Sequence, residues 1–390
     1  MNVTESLQQQ LKRIQLFSLF AGIAGFALCG YGASVSTSQF FQSYLFGYLF
    51  WIGIALGSLA LVALHHLVGG GWGFTIQRVL ESSTKTLPLM IVLFIPFFFG
   101  MKELYLWARP EAVATDEILQ HKAPYLSTTF FWIRAAAYFS IWAIFIFLMN
   151  KWSREQDRTA EPAAARRMQM LGGPALVVYV LTVTFASVDW VMSLDPHWFS
   201  TIYGIIFVVA QGLASLAFAI IVIAKLAAHK PLADFITPKQ FHDLGTLLLA
   251  FVMLWAYVAF SQFLIMWSGN LPEEIPWYIH RTHGGWGAIG AMLVIFHFAL
   301  PFVLLLMRTV KQRANVLIKV AVLIFIMRLV DLFWIVAPNF HPESFSINWL
   351  DFAAPLGIGG IWIAVFLRQL QSLPLLPMND PRMHEAFHHE

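Results

Sequence analysis

The residues best placed to do chemistry are charged side chains inside long apolar runs. Lys102, Glu103, Arg134 and Asp189 each lie roughly one to two helical turns inside the end of such a run. An ionisable group costs at least about 2.5–3.5 kcal/mol at the centre of a bilayer, so such groups face a partner or a cavity. At similar depths, these two cations and two carboxylates are expected to form one network, which either neutralises itself or serves proton transfer or quinone contact. Arg328 and Asp331 are three residues apart and so neighbours on one helix face, and an ion pair is their simplest reading. His280, Arg281 and His283 lead into a run with His297 near its middle, and His242-Asp243 opens another. An imidazole both donates and accepts near neutral pH, so this set could relay protons, although a single buried His is more often a hydrogen-bonded core residue. His65 and His66 close a run, where interfacial placement accounts for them.

Electron-carrying chemistry finds little support. Cys29 is the sole cysteine and falls in an apolar run, which excludes an intrachain disulfide, a thiolate-ligated iron–sulfur cluster and CxxCH haem attachment. His283 and His297 are 14 residues apart, a spacing suited to two stacked b-type haems, but no second run supplies the matching pair. Nucleotide-binding, zinc-protease and serine-hydrolase patterns are absent, and the adjacent His65 and His66 lack the helical spacing of a metal pair.

The elements that must position these groups are membrane helices. Hydrophobic residues make up 59% of the 390 and charged residues only 12%, about half the share of a soluble domain. Apolar runs at 14–33, 43–66, 87–107, 129–150, 172–194, 200–227, 242–267, 284–308, 315–337 and 349–370 have the length a bilayer demands. The fold class is therefore all-α integral membrane with about ten transmembrane helices. The first run reads as a membrane helix, because the polar stretch before it is too long for a typical signal peptide and no cleavage site is evident. Seventeen cations lie in the termini and even-numbered gaps, whereas only Arg109, Lys122 and Arg281 lie in the odd-numbered ones. The positive-inside rule puts the seventeen, and both termini, in the cytoplasm. This asymmetry explains the net charge of +3 better than nucleic-acid binding does. Trp51, Trp107, Trp132, Trp190, Trp198, Trp267, Trp277, Trp286, Trp334 and Trp349 fall near the predicted outer ends, as an aromatic belt would.

Spans 2–5 and 6–9 also read as a repeat. Span 5 ends VDWVMSLDPHWFS and span 9 ends VDLFWIVAPNFHPESFS, each with an Asp and a Trp before a Pro-His or His-Pro loop. Four spans is an even number, so both copies keep one orientation, unlike the inverted repeats common in secondary transporters. The expected organisation is a tail and first helix (1–42), two four-helix bundles (43–199 and 200–348), and a tenth helix with a cytoplasmic tail (349–390).

The stretches SVDWVMSLDPHWFSTIYG (187–204) and FSQFLIMWSGNLPEEIPWYIHR (260–281) closely resemble the ActF-type membrane subunit of alternative complex III, a bacterial quinol–electron acceptor oxidoreductase. In length and helix count the resemblance covers essentially the whole chain. That family belongs to the NrfD or polysulfide-reductase membrane-subunit superfamily of paired four-helix bundles. The resemblance implies a subunit of a larger assembly in the bacterial inner membrane, beside a homologous ActC-type membrane subunit, an iron–sulfur subunit and haem-c subunits. It implies no metal or covalently bound cofactor in this chain, a quinone as the one ligand to consider, and a share in coupling quinol oxidation to proton movement. The family's proton-path candidates map onto Lys102, Glu103, Arg134, Asp189, Asp243, His297, Arg328 and Asp331. Candidates for contact with partner subunits are Asp195, His197, Trp198, Glu273 and Glu274. Two rival readings are a secondary transporter, which predicts helix-breaking interruptions in corresponding spans, and a structural anchor for peripheral subunits, in which every buried charge is neutralised. Pro96 in span 3 has no counterpart in span 7.

Overall fold

A computed structural model describes residues 5–230, 232–377, 379–380 and 382–383. Among these residues there is no strand, and nine helices are long and apolar enough to cross a membrane: α1 (Glu5–Val35), α2 (Thr37–Val68), α8 (Thr128–Thr159), α9 (Pro162–Trp190), α10 (Tyr203–Leu226), α11 (Pro238–Gly269), the span Trp286–Leu306, α16 (Ala314–Val336) and α17 (Leu350–Gln371). A bent pair of helices is also long and apolar enough, which makes ten if the pair counts as one span. Helices α3 (Gly71–Thr84) and α4 (Leu87–Val92) lead at 75° into α5 (Phe97–Leu104). The chain is thus a multi-pass, all-helical membrane protein. Between the spans lie the short helices α6 (Pro110–Thr115), α7 (Glu117–Lys122) and α12 (Pro276–Thr282) at one end, and α15 (Arg308–Gln312) at the other.

Both interrupted spans break where a proline dictates. A proline ring clashes with the carbonyl four residues before it and offers no N–H. Pro96 lies four residues after Val92, where α4 stops. The carbonyls freed by this break are not left bare in the membrane interior. Tyr44 donates to Leu93 O (2.7 Å) and Tyr48 donates to Met90 O (3.0 Å), both from α2. Pro301 lies four residues after His297, and there the helix widens into a π segment, Leu293–Ala299, between α13 (Trp286–Met292) and α14 (Leu300–Leu306). The interruptions therefore fall in the third and eighth spans, which do not correspond in the four-span repeat.

Helix α2 is the central post. It packs on α3, α5, α9, α10 and α17, whereas α10 packs on α9, α11 and α16. The first bundle (α2, α3–α5, α8, α9) thus meets the second (α10, α11, α13–α14, α16) along α2 and α10. Gly57 permits that approach, since a Cβ there would lie 2.2 Å from Gln211 O; one turn away, Ser215 Oγ donates to Ile54 O at 2.9 Å. The first and last helices do not flank the molecule separately. They pair with each other, backbone against backbone, where Gly22 and Gly25 meet Gly357 and Gly360, and a Cβ at Gly25 would lie 2.5 Å from Gly357 Cα. Gln371 donates to Gln15 Oε1 (2.9 Å), so Lys12, Arg13 and Arg368 share one cation-rich end.

The tryptophans depart from the expected belt. Trp107, Trp190, Trp198, Trp277 and Trp286 are buried in the protein, and Trp51 lies in the middle of α2 against Trp362, donating to Pro355 O at 2.8 Å. Trp267 and Trp349 are the exposed ones. An indole supplies a large apolar surface and one N–H, and most of these rings spend both on neighbouring helices rather than on the interface.

Candidate functional site

Two aspartates at matching positions of the repeat, Asp189 on α9 and Asp331 on α16, each meet a buried arginine. In the first bundle, Arg134 on α8 approaches Asp189 in a two-pronged bridge, Nε to Oδ2 at 2.8 Å and Nη2 to Oδ1 at 2.9 Å. Tyr138 donates its hydroxyl to Asp189 Oδ2 (2.8 Å), Arg134 Nη1 donates to Tyr125 O (2.9 Å), and the guanidinium stacks 3.9 Å from the Tyr125 ring centre. Tyr125 lies in the loop before α8, and burial beside the Asp189 charge pushes its phenol pKa up. Every charge here has an opposite charge and at least one further hydrogen bond, which a buried pair needs if it is to persist.

In the second bundle, Arg328 bridges Asp331 from the preceding turn of α16, and Trp255 of α11 donates to Asp331 Oδ2 at 3.3 Å. His297 stands edge to face with Trp255, with ring centres 4.3 Å apart, in the π segment, fully buried and with neither ring nitrogen hydrogen-bonded. A π-widened turn shifts its side chains out of the regular helical register and is frequent at functional sites. Arg281 on α12 is also buried, but it makes no ion pair among the described residues, and the Asp195 carboxylate acts on it only from a longer range. Arg281 donates to Trp277 O (2.9 Å), Ile335 O (2.6 Å) and Asn339 Oδ1 (3.1 Å), and its guanidinium lies 3.7 Å from the Trp277 ring. Burial lowers its pKa to about 10.

A cavity lies between the bundles, lined by Leu49, Gly53, Trp142, Ser187, Trp190, Gln211, Phe207 and Arg328, among others. About 20 Å³ of it is open to the centre of a water molecule, enough for one water, and Ser187, Gln211 and Arg328 supply polar contacts. Gln211 is fixed by the Tyr179 hydroxyl, which donates to Oε1 at 2.9 Å. The lining reaches the first bundle's pair through Trp190, next to Asp189, and the second's through Arg328 itself.

The expected four-residue network divides. Arg134 and Asp189 come together, but Lys102 and Glu103 do not join them. Phe97, Gly100, Met101 and Leu104 take the inner face of α5, which turns Lys102 outward, and neither Lys102 nor Glu103 makes a side-chain hydrogen bond or ion pair among the described residues. Their backbone carbonyls accept from Arg109 instead. The histidine relay is likewise discontinuous: His283 Nδ1 contacts Ile279 O, and His297 has no hydrogen-bonded link to it. Asp243 is half-buried at the start of α11, 3.5 Å from His242. Asp195 and Glu274 are half-buried, and His197 and Glu273 are exposed. Trp198 is not a surface residue. It stacks on Trp277 at 5.1 Å and donates to Glu274 O (3.2 Å), so it ties the two bundles' loops together. His197 instead meets Asp116, the cap of α7, at 2.6 Å, and this hydrogen bond together with the Leu119 N–H holds the Asp116 carboxyl below its ordinary pKa.

A second buried polar cluster, at the cation-rich end, escaped the sequence reading. Arg78 on α3 pairs with Glu81 (2.8 Å) and with Asp157 of α8; Ser153 donates to Glu81 Oε1 (2.6 Å), as does Gln77 (2.8 Å). Beside it, in the last turn of α2, His65 and His66 are fully buried in the protein, and a Cβ on Gly73 would overlap the His65 ring at 1.8 Å. The available signal was Arg78 and Glu81 at helical spacing in a polar stretch taken for a loop, the same i, i+3 spacing as Arg328 and Asp331.

No protein-family model matches this chain, and no curated protein matches it significantly.

Proposed function

We propose that this chain is the proton-handling membrane subunit of a quinol-oxidising complex of the alternative complex III type, in the bacterial inner membrane with both termini in the cytoplasm. The observation that carries the reading is the pair of buried Arg–Asp bridges, one in each bundle, set on either side of a water-sized cavity. A carboxylate held by a guanidinium exchanges its proton only when the pair is loosened, so an electrostatic or conformational change in a partner gates transfer. Quinol would be oxidised at a site shared with or lying in the ActC-type subunit, and electrons would pass to iron–sulfur and haem-c subunits. The central cavity is water-sized rather than ring-sized, which favours proton transfer over quinone contact at this position. A transporter reading is disfavoured because the proline interruptions fall in non-corresponding spans. The test is reconstitution of the complex, purified from native membranes, into liposomes with Asp189→Asn or Asp331→Asn. Protons moved per electron should fall at least twofold with assembly and subunit content retained. Wild-type stoichiometry in both variants would overturn the proposal, as would purification of the chain without redox partners.

A further inference from the structure

Helix α8 divides its polar residues between two faces near the cation-rich end. Ser153 and Asp157 turn inward to Glu81 and Arg78, and Glu155 is taken by Arg167 at 3.0 Å. Asn150, Arg154 and Arg158 recur every four residues and so form a separate stripe. That stripe walls a cleft of about 660 Å³, closed on its other sides by Lys85, Leu87, Pro88 and Ile91 of the third span and by Gln369, Ser372 and Leu373 at the end of α17. Three cations therefore border one cleft, and none of them makes an ion pair among the described residues. Arg154 Nε donates only to Asn150 O (3.2 Å).

Deeper in the cleft the lining becomes apolar, with Ile91, Ala143, Ile146 and Phe147; Phe147 is 60% exposed and Ile91 36% exposed. From Arg154 to Ala143 is 11 residues, about 16 Å along the helix, close to the roughly 15 Å of hydrocarbon in one leaflet. Asn150 spends its amide nitrogen on Thr84 Oγ1 (3.1 Å) and Ile146 O (2.9 Å) and leaves Oδ1 buried without a donor. A buried acceptor without a donor is costly, and a ligand hydroxyl would satisfy it.

We propose that this cleft is a binding site for an anionic phospholipid with a free glycerol hydroxyl, of the phosphatidylglycerol or cardiolipin kind. Its phosphate lies among Lys85, Arg154 and Arg158, its hydroxyl faces Asn150 Oδ1, and an acyl chain runs down Ile91, Ala143, Ile146 and Phe147. Basic pockets between helix ends recognise lipid head groups in this way. The site does not depend on the proton-handling reading.

The test is native mass spectrometry of the full chain released from detergent after incubation with dioleoyl phosphatidylglycerol, phosphatidate or phosphatidylcholine. One tightly retained phosphatidylglycerol per chain is expected, with phosphatidate retained less and phosphatidylcholine at least tenfold less. The double substitution Arg154→Gln/Arg158→Gln should lower phosphatidylglycerol occupancy at least tenfold. Arg308→Gln/Arg313→Gln, which removes the same charge from exposed positions at the same end, should leave it unchanged, with circular dichroism verifying the fold of both. Equal retention of phosphatidylcholine, equal loss in the two double variants, undiminished retention in Arg154→Gln/Arg158→Gln, or co-purification of a quinone displaced by added phosphatidylglycerol would each overturn the proposal.

Discussion

The two bundles solve the same electrostatic problem differently. Each carries an arginine near its cation-poor end that rests on an aromatic ring, Arg134 on Tyr125 and Arg281 on Trp277. Arg134 is neutralised across helices by Asp189, whereas Arg281 is held by backbone carbonyls and one amide oxygen, and the aspartate of its bundle is claimed by Arg328. The first bundle is thus clamped by a charge pair that joins α8 to α9. The second keeps a buried cation without an ion pair, an Arg–Asp pair within a single helix, and, in a π-widened turn, a histidine with no hydrogen-bond partner among the described residues. A cross-helix pair couples charge to helix separation, but an intrahelical pair does not. The lesson is that equivalent residues in a repeat need not carry equivalent work.

That contrast can be broken by substitution. Arg134→Gln leaves Asp189 buried without its cation and should destabilise the protein by about 3–5 kcal/mol. Arg281→Gln leaves only neutral acceptors unsatisfied and should cost about 1–3 kcal/mol. Equal losses in reversible unfolding in mixed micelles would erase the distinction. Tyr138→Phe, which removes a hydrogen bond to the Asp189 carboxylate without altering shape, should cost about 1.5–3 kcal/mol in the same unfolding measurement.

The smallest expected effect is at the surface. Because Asp116 has a depressed pKa in the folded state, its hydrogen bonds stabilise the 105–127 loop fully above the ordinary carboxylate value of about 3.9, and that contribution is lost as pH falls through the depressed value. Protease cleavage of the loop should accelerate in that acidic range in the wild type and show no such pH step in Asp116→Asn. A step retained in the variant would assign it to another group.

Much of this architecture was legible in the residues. Apolar run length depends on local composition alone, so nine of the ten expected runs coincide with a long apolar helix and the third overlaps the bent pair, and the Asp189–Asp331 correspondence followed from the shared VDW and VDLFW context. The place of Lys102 and Glu103 along an apolar run was legible too, but position along a helix says nothing about rotation about its axis. The break at Pro96 and the apolar inner face of α5 fix that rotation and turn Lys102 away from Asp189. Helix α3 was missed because its polar face, which in a loop would meet water, is instead satisfied by Ser153 and Asp157, about 75 residues away in the chain.

The sequence by itself determined the long apolar helices, the crowding of cations into alternate gaps between them and the single cysteine, because each is a matter of composition. Tertiary structure decided which charges meet. The pairing of Arg134 with Asp189, the isolation of Arg281 and His297, the burial of tryptophans expected at the interface and the union of α1 with α17 all depend on helix rotation and on close approach at a few glycines. Those are set by the packing of every neighbour at once, and no local window contains them.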